Sequence, residues 1–256
     1  MRCCAVEDGG HNQTYPPSRG DCKTTGGFTM RLFSLTLMML MLFGTAANAQ
    51  RRQRGFTSDP DMWVSGGIAG FTGDGVNDGR SASTWNFGNA WNWQYSASLE
   101  KTLSSGGSSF GVAGSYARVP FAYLGPALPV PGGGATCNGC NAHLDMTTLV
   151  ATFHIGSGSG LHQLLDLNGG IVNYANLKRD TDGVRLAGGS NTDPLFTAGW
   201  GFGYGFDDRT QIDVAWDYAI AIHERSGLSN GVSNTNRMQL LKITFRKGFG
   251  VRTVRR

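Results

Sequence analysis

The sequence is poor in charge, has few cysteines and lacks an apolar run long enough for a comfortable transmembrane helix. Charged residues make up only 16% of its 256 residues, whereas glycine occurs 39 times. This composition argues against a disordered chain and against a helical bundle. The net charge of +4 is small and gives no reason to expect a nucleic-acid partner. We recognise no phosphate-binding loop, metal-ligand cluster or catalytic triad, so the sequence predicts no cofactor and no enzymatic activity.

A signal peptide is predicted at residues 30–49. It begins with Met30-Arg31, continues with an apolar run at 32–43 and ends on Ala47-Asn48-Ala49, which has the small-x-small form of a cleavage site. The apolar run is shorter than a membrane-spanning helix requires. The predicted mature start is therefore Gln50, and the chain is expected to be exported.

The remaining boundaries follow from this signal. A polar segment at residues 1–29 precedes it and is either a real extension or the result of a start assigned too early, with Met30 the true start. We favour the second explanation. Residues 50–60 are predicted to be a flexible lead, 61–249 the folded domain and 250–256 a basic tail.

The stretch from Pro194 to Ile222 alternates with a strict period of two on both sides of a turn at 207–210. That period predicts two strands. One face carries large apolar side chains, and the other carries mainly Gly, Ala and Asp, which suit a crowded interior better than a solvated surface. The faces are therefore inverted relative to a soluble sheet, as expected for strands whose outside meets lipid. The predicted lipid-facing aromatic residues of the whole chain are Trp93, Tyr95, Phe153, Phe196, Trp200, Phe202, Tyr204, Phe206, Trp216, Tyr218 and Phe245.

Similar patterns predict eight strands in all. Their expected bounds are 61–71, 91–103, 110–123, 143–155, 164–177, 194–206, 211–222 and 236–249. The connections alternate between long and short, as in a chain that threads a membrane from one side with tight turns on the entry side. The glycine-rich middle of the first strand does not reveal its lipid face, and the segment at 72–90 is predicted to be a loop.

With these features the chain resembles the eight-stranded outer-membrane β-barrel family, which includes the transmembrane domain of outer membrane protein A and OmpW-like proteins. The resemblance covers about residues 61–249. It implies an all-β, eight-stranded, antiparallel, up-and-down transmembrane barrel in the bacterial outer membrane. The implied partners are outer-membrane lipids and the barrel-assembly machinery. Members usually end on an aromatic residue that this machinery reads, whereas here Phe249 is followed by 250–256.

The predicted inner face carries charges of both signs. An eight-stranded barrel is only wide enough for its own side chains, so a general diffusion pore is not expected. Charges confined in such a space should be paired. We favour a structural ion-pair network, and the alternative is a gate whose pairs exchange to open a narrow ion path. The residues of this network are Glu100, Asp166, Asp213, Asp217, Lys242 and Arg246.

Two further groups have both a chemical and a structural interpretation. Cys137 and Cys140 have the spacing of a redox dithiol or half a zinc site, but in an exported protein we favour a loop disulfide. His154 has Ser157 nearby, as a lipid-modifying enzyme would require, yet its parity points it into the lumen. We favour a structural role for it and for His143.

The sequence thus predicts a non-enzymatic outer-membrane barrel with a structural, anchoring or surface-interaction role, in which any surface ligand is bound by the four long loops. Three alternatives stay open. They are a narrow channel for small or apolar solutes, a lipid-modifying enzyme with a lipid-facing Ser-His pair, and a secreted soluble barrel with its aromatic face around a ligand. The last one leaves the alternation of loop lengths unexplained.

Overall fold

The structure is a computed structural model. It describes residues 59–88, 91–104, 107–126, 137–188 and 191–251. The predicted signal peptide and the segment before it lie outside these residues, as do most of the predicted lead and the basic tail. The described residues include no helix that is long and apolar enough to cross a membrane.

The described chain forms ten strands. In chain order they are β1 (Met62–Gly73), β2 (Val76–Asp78), β3 (Ser83–Asn86), β4 (Asn92–Ser104), β5 (Ser108–Gly125), β6 (Cys137–Ile155), β7 (Gly160–Arg179), β8 (Asn191–Asp207), β9 (Thr210–Ile222) and β10 (Thr235–Phe249). Eight of them, β1 and β4 to β10, make the wall of a closed antiparallel barrel. The pairing of β5 with β6 and of β1 with β10 completes the ring, so the wall has no free edge. The predicted all-β, eight-stranded antiparallel barrel is confirmed.

The barrel has two different ends. The connections that join β4 to β5, β6 to β7 and β8 to β9 are short, and they lie at the same end as the start of β1 and the end of β10. We call this the turn end and the opposite one the loop end. In the β8–β9 turn the backbone N–H of Arg209 donates to Asp207 Oδ1 at 2.6 Å, which fixes a compact reversal at the position predicted from the sequence.

Several strands extend further toward the loop end than predicted. Residues 137–142, predicted to belong to a loop and its junction with the next strand, begin β6 and pair with the end of β5, where Leu124 lies opposite Asn138. Pro120 does not interrupt this ribbon, and it has no partner in β4 on the other side. The β4–β5 pairing ends at Ala117, whereas the β5–β6 pairing continues through Pro120.

The prediction of a loop at 72–90 is wrong for part of that segment. It contains the β2–β3 hairpin, in which Val76 pairs with Trp85, and β3 also pairs with the end of β5 through Trp85 and Tyr123. The strands are too short, and their surroundings too rich in Gly, Asn and Asp, for a periodic signal to be visible. The hairpin lies at the loop end of the barrel.

Candidate functional site

The outside of the barrel is apolar. The predicted lipid-facing aromatic residues all lie on the outer face, where Phe153 is partly covered and the others are exposed. On β1, whose outer face the sequence left open, Met62, Val64 and Ile68 are the exposed apolar residues. A monomeric soluble protein rarely exposes an apolar surface that continues around the whole molecule.

The height of this apolar surface fits a membrane. On β8 it runs from Phe196 to Phe206, which spans about 33 Å along a strand at 3.3 Å per residue. With a strand tilt of about 40° this becomes roughly 25 Å along the barrel axis, the height of the apolar band of outer-membrane barrels. We call this surface the apolar belt.

Above the belt, on the loop-end side, the outer face becomes polar. Tyr116 Oη donates to Asp145 Oδ1 at 2.9 Å, and Arg118 Nη2 lies 2.7 Å from His143 Nε2. The other ring nitrogen of His143 lies 2.5 Å from Asp180 Oδ1. His143 thus lies between the Arg118 guanidinium and the Asp180 carboxylate at the edge of the belt.

The inside of the barrel at the turn end is charged. All six predicted interior charges lie there, together with two histidines. We call this group the charged girdle; its members are Glu100, His154, His162, Asp166, Asp213, Asp217, Lys242 and Arg246.

Arg246 is the most enclosed cation of the girdle. Its guanidinium donates from Nη2 to Glu100 Oε2 at 2.6 Å and to Ser109 Oγ at 3.0 Å. The same group lies over the Trp63 ring, 5.0 Å from the ring centroid, and Nη1 is 4.0 Å from Asp213 Oδ2. Arg246 therefore links β1, β4, β5 and β9 across the lumen.

Lys242 makes the second ionic link. Its Nζ donates to Asp166 Oδ2 at 2.8 Å and to Asp217 Oδ2 at 3.0 Å. Asp217 lies on β9, next to Lys242 on β10, whereas Asp166 lies on β7, two strands further along the wall. The Lys242–Asp166 pair therefore connects separate parts of the wall. The parity of the strands places these side chains inside, but only the barrel geometry decides which anion meets which cation.

The girdle histidines are held by acceptors. His154 Nδ1 is 2.6 Å from Asp166 Oδ1, and its Nε2 is 2.6 Å from the carbonyl oxygen of Gly156. His162 Nδ1 lies 3.0 Å from the carbonyl oxygen of Gly160, and its Nε2 is 3.9 Å from Asp213 Oδ1. β7 begins at Gly160, before the predicted start of this strand at residue 164. If the predicted alternation is continued back by two residues, it places His162 on the inner face.

The glycines of β8 make room for this girdle. A Cβ atom on Gly199 would lie 2.0 Å from Asp217 Oδ1, and one on Gly203 would lie 2.3 Å from His162 Nε2 and 2.4 Å from Asp213 Oδ1. Gly199 and Gly203 thus leave room on the inner face of β8 for side chains that extend from β7 and β9.

We expect Gly199→Ala to lower the free energy of unfolding by about 1–3 kcal/mol, because the added methyl group forces Asp217 away from Lys242. Gly169→Ala is the matched control: Gly169 also lies within a strand, and its nearest neighbour would be a Phe196 ring atom at 3.8 Å. Guanidinium unfolding of both variants in lipid vesicles measures the difference. Equal effects of the two substitutions would contradict the role given to the β8 glycines.

A polar chamber lies between the girdle and the middle of the barrel, and all girdle residues except His162 contribute to its lining. Its volume is about 120 Å³, enough for several water molecules. Hydroxyl-bearing side chains share the lining with charged residues of the girdle and with Met146, Leu195, Met238 and Leu240. Some of the hydroxyl groups bond to one another, as Ser115 Oγ and Thr148 Oγ1 do at 2.6 Å. The lining hydroxyl residues include Ser65, Ser96, Ser98, Ser115, Thr148 and Thr197.

The inside of the barrel at the loop end is filled with buried apolar side chains. Trp85 of the hairpin is fully buried, with its ring centroid 5.8 Å from that of Tyr174, and Phe87 is 6.1 Å from Phe121. We call this group the apolar plug. It comprises Phe71, Val76, Trp85, Phe87, Val119, Phe121, Tyr123, Leu144, Met146, Val172, Tyr174, Leu177, Leu186, Leu195, Met238 and Leu240. The plug was not predicted from the sequence, because its central residues belong to the segment predicted to be a loop.

Cys137 and Cys140 form a disulfide at the start of β6. Cys137 is buried against the plug, and Arg179 Nη1 lies 3.8 Å from its Sγ. The pair thus lies within the β5–β6 ribbon that rises above the belt.

The comparisons with known proteins give matches of structure only. No protein-family model matches the chain, and no curated protein is similar to it in sequence. Neisserial surface protein A is 14% identical, with a TM-score of 0.43, over 74% of this chain and 97% of that one. The N-terminal β-barrel domain of OprF from Pseudomonas aeruginosa is 17% identical, with a TM-score of 0.36, over 72% and 96%. The outer membrane protease OmpT from Escherichia coli is 10% identical, with a TM-score of 0.32, over 77% and 99%.

Proposed function

We propose that this chain is a bacterial outer-membrane β-barrel that anchors four surface loops and does not form an open pore. The observation that carries the proposal is the inverted barrel. Apolar side chains cover the outside, while charged and hydroxyl-bearing side chains fill the turn end and the middle of the inside. An exterior of this kind is stable against lipid. The predicted signal peptide and the difference between the two barrel ends support export to, and insertion into, the outer membrane from one side.

The interior supports an anchoring role over transport. From the turn end a solute would meet the charged girdle, where Glu100, Asp213 and Arg246 are almost fully buried. From the loop end it would meet the apolar plug, which includes the fully buried Phe71 and Trp85. Two barriers in series therefore separate the chamber from both sides of the membrane.

The proposed partners follow from the surface. Outer-membrane lipids contact the apolar belt, and any surface ligand is bound by the loop end, where Arg80 and Glu224 form an ion pair at 3.1 Å. The barrel-assembly machinery would read Phe249, an outward-facing aromatic residue that ends β10. Phe249 pairs with Met62 of β1 at the closing seam, which gives it a position within the last strand despite the residues that follow.

Two of the alternatives receive less support. A lipid-modifying enzyme would need a lipid-facing Ser-His pair, whereas both ring nitrogens of His154 are directed at Asp166 and Gly156 inside the lumen. A soluble ligand-binding barrel would need its aromatic face inward, whereas Trp200 and Trp216 point outward.

A narrow channel gated by the girdle is the second candidate, because the chamber already provides a polar middle section. Planar-bilayer recordings of the full chain and of Lys242→Met test it against the anchoring role. We expect no conductance steps from either protein, since the apolar plug stays closed when Lys242 is lost. Lys247→Met is the control for the lost charge, because Lys247 is exposed and bonds Thr210 outside the lumen.

Steps from Lys242→Met alone would support the ion gate. Steps from the unchanged protein would contradict a sealed lumen.

A further inference from the structure

The β2–β3 hairpin is an insertion between two strands that are already neighbours. β1 and β4 pair directly, with Phe71 opposite Asn92, so a few residues would suffice to connect them. The chain instead uses residues 74–91 and places a hairpin there. The wall itself is complete without the hairpin, since each wall strand pairs with two other wall strands.

The hairpin crosses the mouth of the barrel. On one side its backbone is paired only with the end of β5, from Thr84 to Asn86. On the other side Asn77 Nδ2 donates to the carbonyl oxygen of Ser233, at 2.9 Å, in the connection between β9 and β10. In the ring of wall strands, three strands separate β5 from β9 in either direction, so the two attachments lie on opposite walls.

Side chains also hold the hairpin in the mouth, in addition to its backbone pairs with β5. Val76, Trp85 and Phe87 are buried in the apolar plug. His223, at the end of β9, is buried between two carboxylates: its Nδ1 is 2.7 Å from Asp193 Oδ2, and its Nε2 is 3.8 Å from Asp78 Oδ1 of the hairpin. Asp78, Val76, Trp85 and Phe87 are thus the residues through which the insertion contacts the rest of the barrel mouth.

We propose that the β2–β3 hairpin is a movable closure of the mouth, whose departure withdraws Val76, Trp85 and Phe87 from the apolar plug and opens the polar chamber to the loop end. The wall does not depend on the hairpin for strand pairing, so the barrel keeps its shape when the hairpin leaves. The charged girdle stays in place and keeps the turn end closed. The inference goes beyond the anchoring role because it gives the sealed barrel a pocket that opens on one side only.

A thiol in the chamber tests this proposal. Ser115 lines the chamber, and Ser115→Cys replaces one small polar side chain by another. Cys137 and Cys140 form a disulfide, and Cys3, Cys4 and Cys22 are changed to Ser in every variant, which leaves the introduced thiol to react. The probe is a charged methanethiosulfonate reagent, applied to the folded full chain, and mass spectrometry follows the labelling rate.

Three proteins are compared: the reporter alone, the reporter with residues 75–88 replaced by Gly-Ser-Gly-Ser, and the reporter with Asn77→Cys and Ser233→Cys oxidised to a cross-link. We expect hairpin replacement to raise the labelling rate about tenfold or more and the cross-link to lower it below that of the reporter alone. Heat-dependent electrophoretic mobility checks that each barrel is folded. If the replaced variant fails to fold, the cross-linked variant still decides.

Labelling rates that neither hairpin replacement nor the cross-link changes would overturn the proposal. So would fast labelling of the cross-linked variant, because the chamber would then be reached by another route.

Discussion

Ile243→Arg is expected to lower the free energy of unfolding in lipid vesicles by about 2–4 kcal/mol, the cost of an arginine on the lipid face near the bilayer midplane. Ile243 is exposed on β10 and lies between Ile68 of β1 and Val214 of β9, so the new guanidinium would be surrounded by apolar side chains and hydrocarbon. Guanidinium unfolding monitored by tryptophan fluorescence measures the loss.

Gln239→Arg is the matched control on the same face of the same strand. It lies two residues from the native Arg237, at the polar edge of the belt toward the loop end. The cost of an arginine falls to about 0–1 kcal/mol near the membrane interface. Similar losses for both variants would mean that depth along β10 does not matter, and the outer face would then not be in contact with a bilayer.

Arg246→Met has the second large expected effect, a loss of about 3–5 kcal/mol in the free energy of unfolding. Removing one partner of a buried ion pair leaves the other charge without compensation. Glu100 would lose the hydrogen bond from Arg246 at 2.6 Å, and Asp213 would lose the guanidinium group that lies 4.0 Å away. Equilibrium unfolding in vesicles measures the loss.

A double-mutant cycle with Glu100→Gln separates the ion pair from the packing of Arg246 on Trp63. In the double variant the carboxylate that was left unpaired is neutral, so the total loss should be smaller than the sum of the two single losses. Strictly additive losses would show that Glu100 and Arg246 do not stabilise the barrel through each other.

Strand parity made the faces of the wall predictable. A period of two leaves no freedom once one side chain is placed, so Trp200 and Trp216 determine the faces of β8 and β9. β1 carries too few large residues for the same inference. Its pairing resolves the question, because Ile68 lies opposite Tyr95 of β4 and Ile243 of β10, and both of these residues point outward.

Parity gives the face of a side chain but not its partner across the lumen. Lys242 and Asp166 are far apart in sequence and meet because the tilt and stagger of the closed wall bring β10 and β7 to matching heights. The apolar plug was unpredictable for another reason. Its central residue, Trp85, belongs to a strand of only four residues, and the cluster forms from many strand ends that converge only in the closed barrel.

The most direct test of the central claim is the quenching of single tryptophans by lipids with brominated acyl chains. Trp216 lies on the outer face and is 47% exposed, whereas Trp63 lies inside the barrel against Arg246 and is 3% exposed. In variants that keep one of these tryptophans and carry Phe at the other tryptophan positions, we expect strong quenching of Trp216 and almost none of Trp63. Quenching of Trp63 with an unaffected Trp216, or no quenching of either, would contradict a barrel whose aromatic face meets lipid.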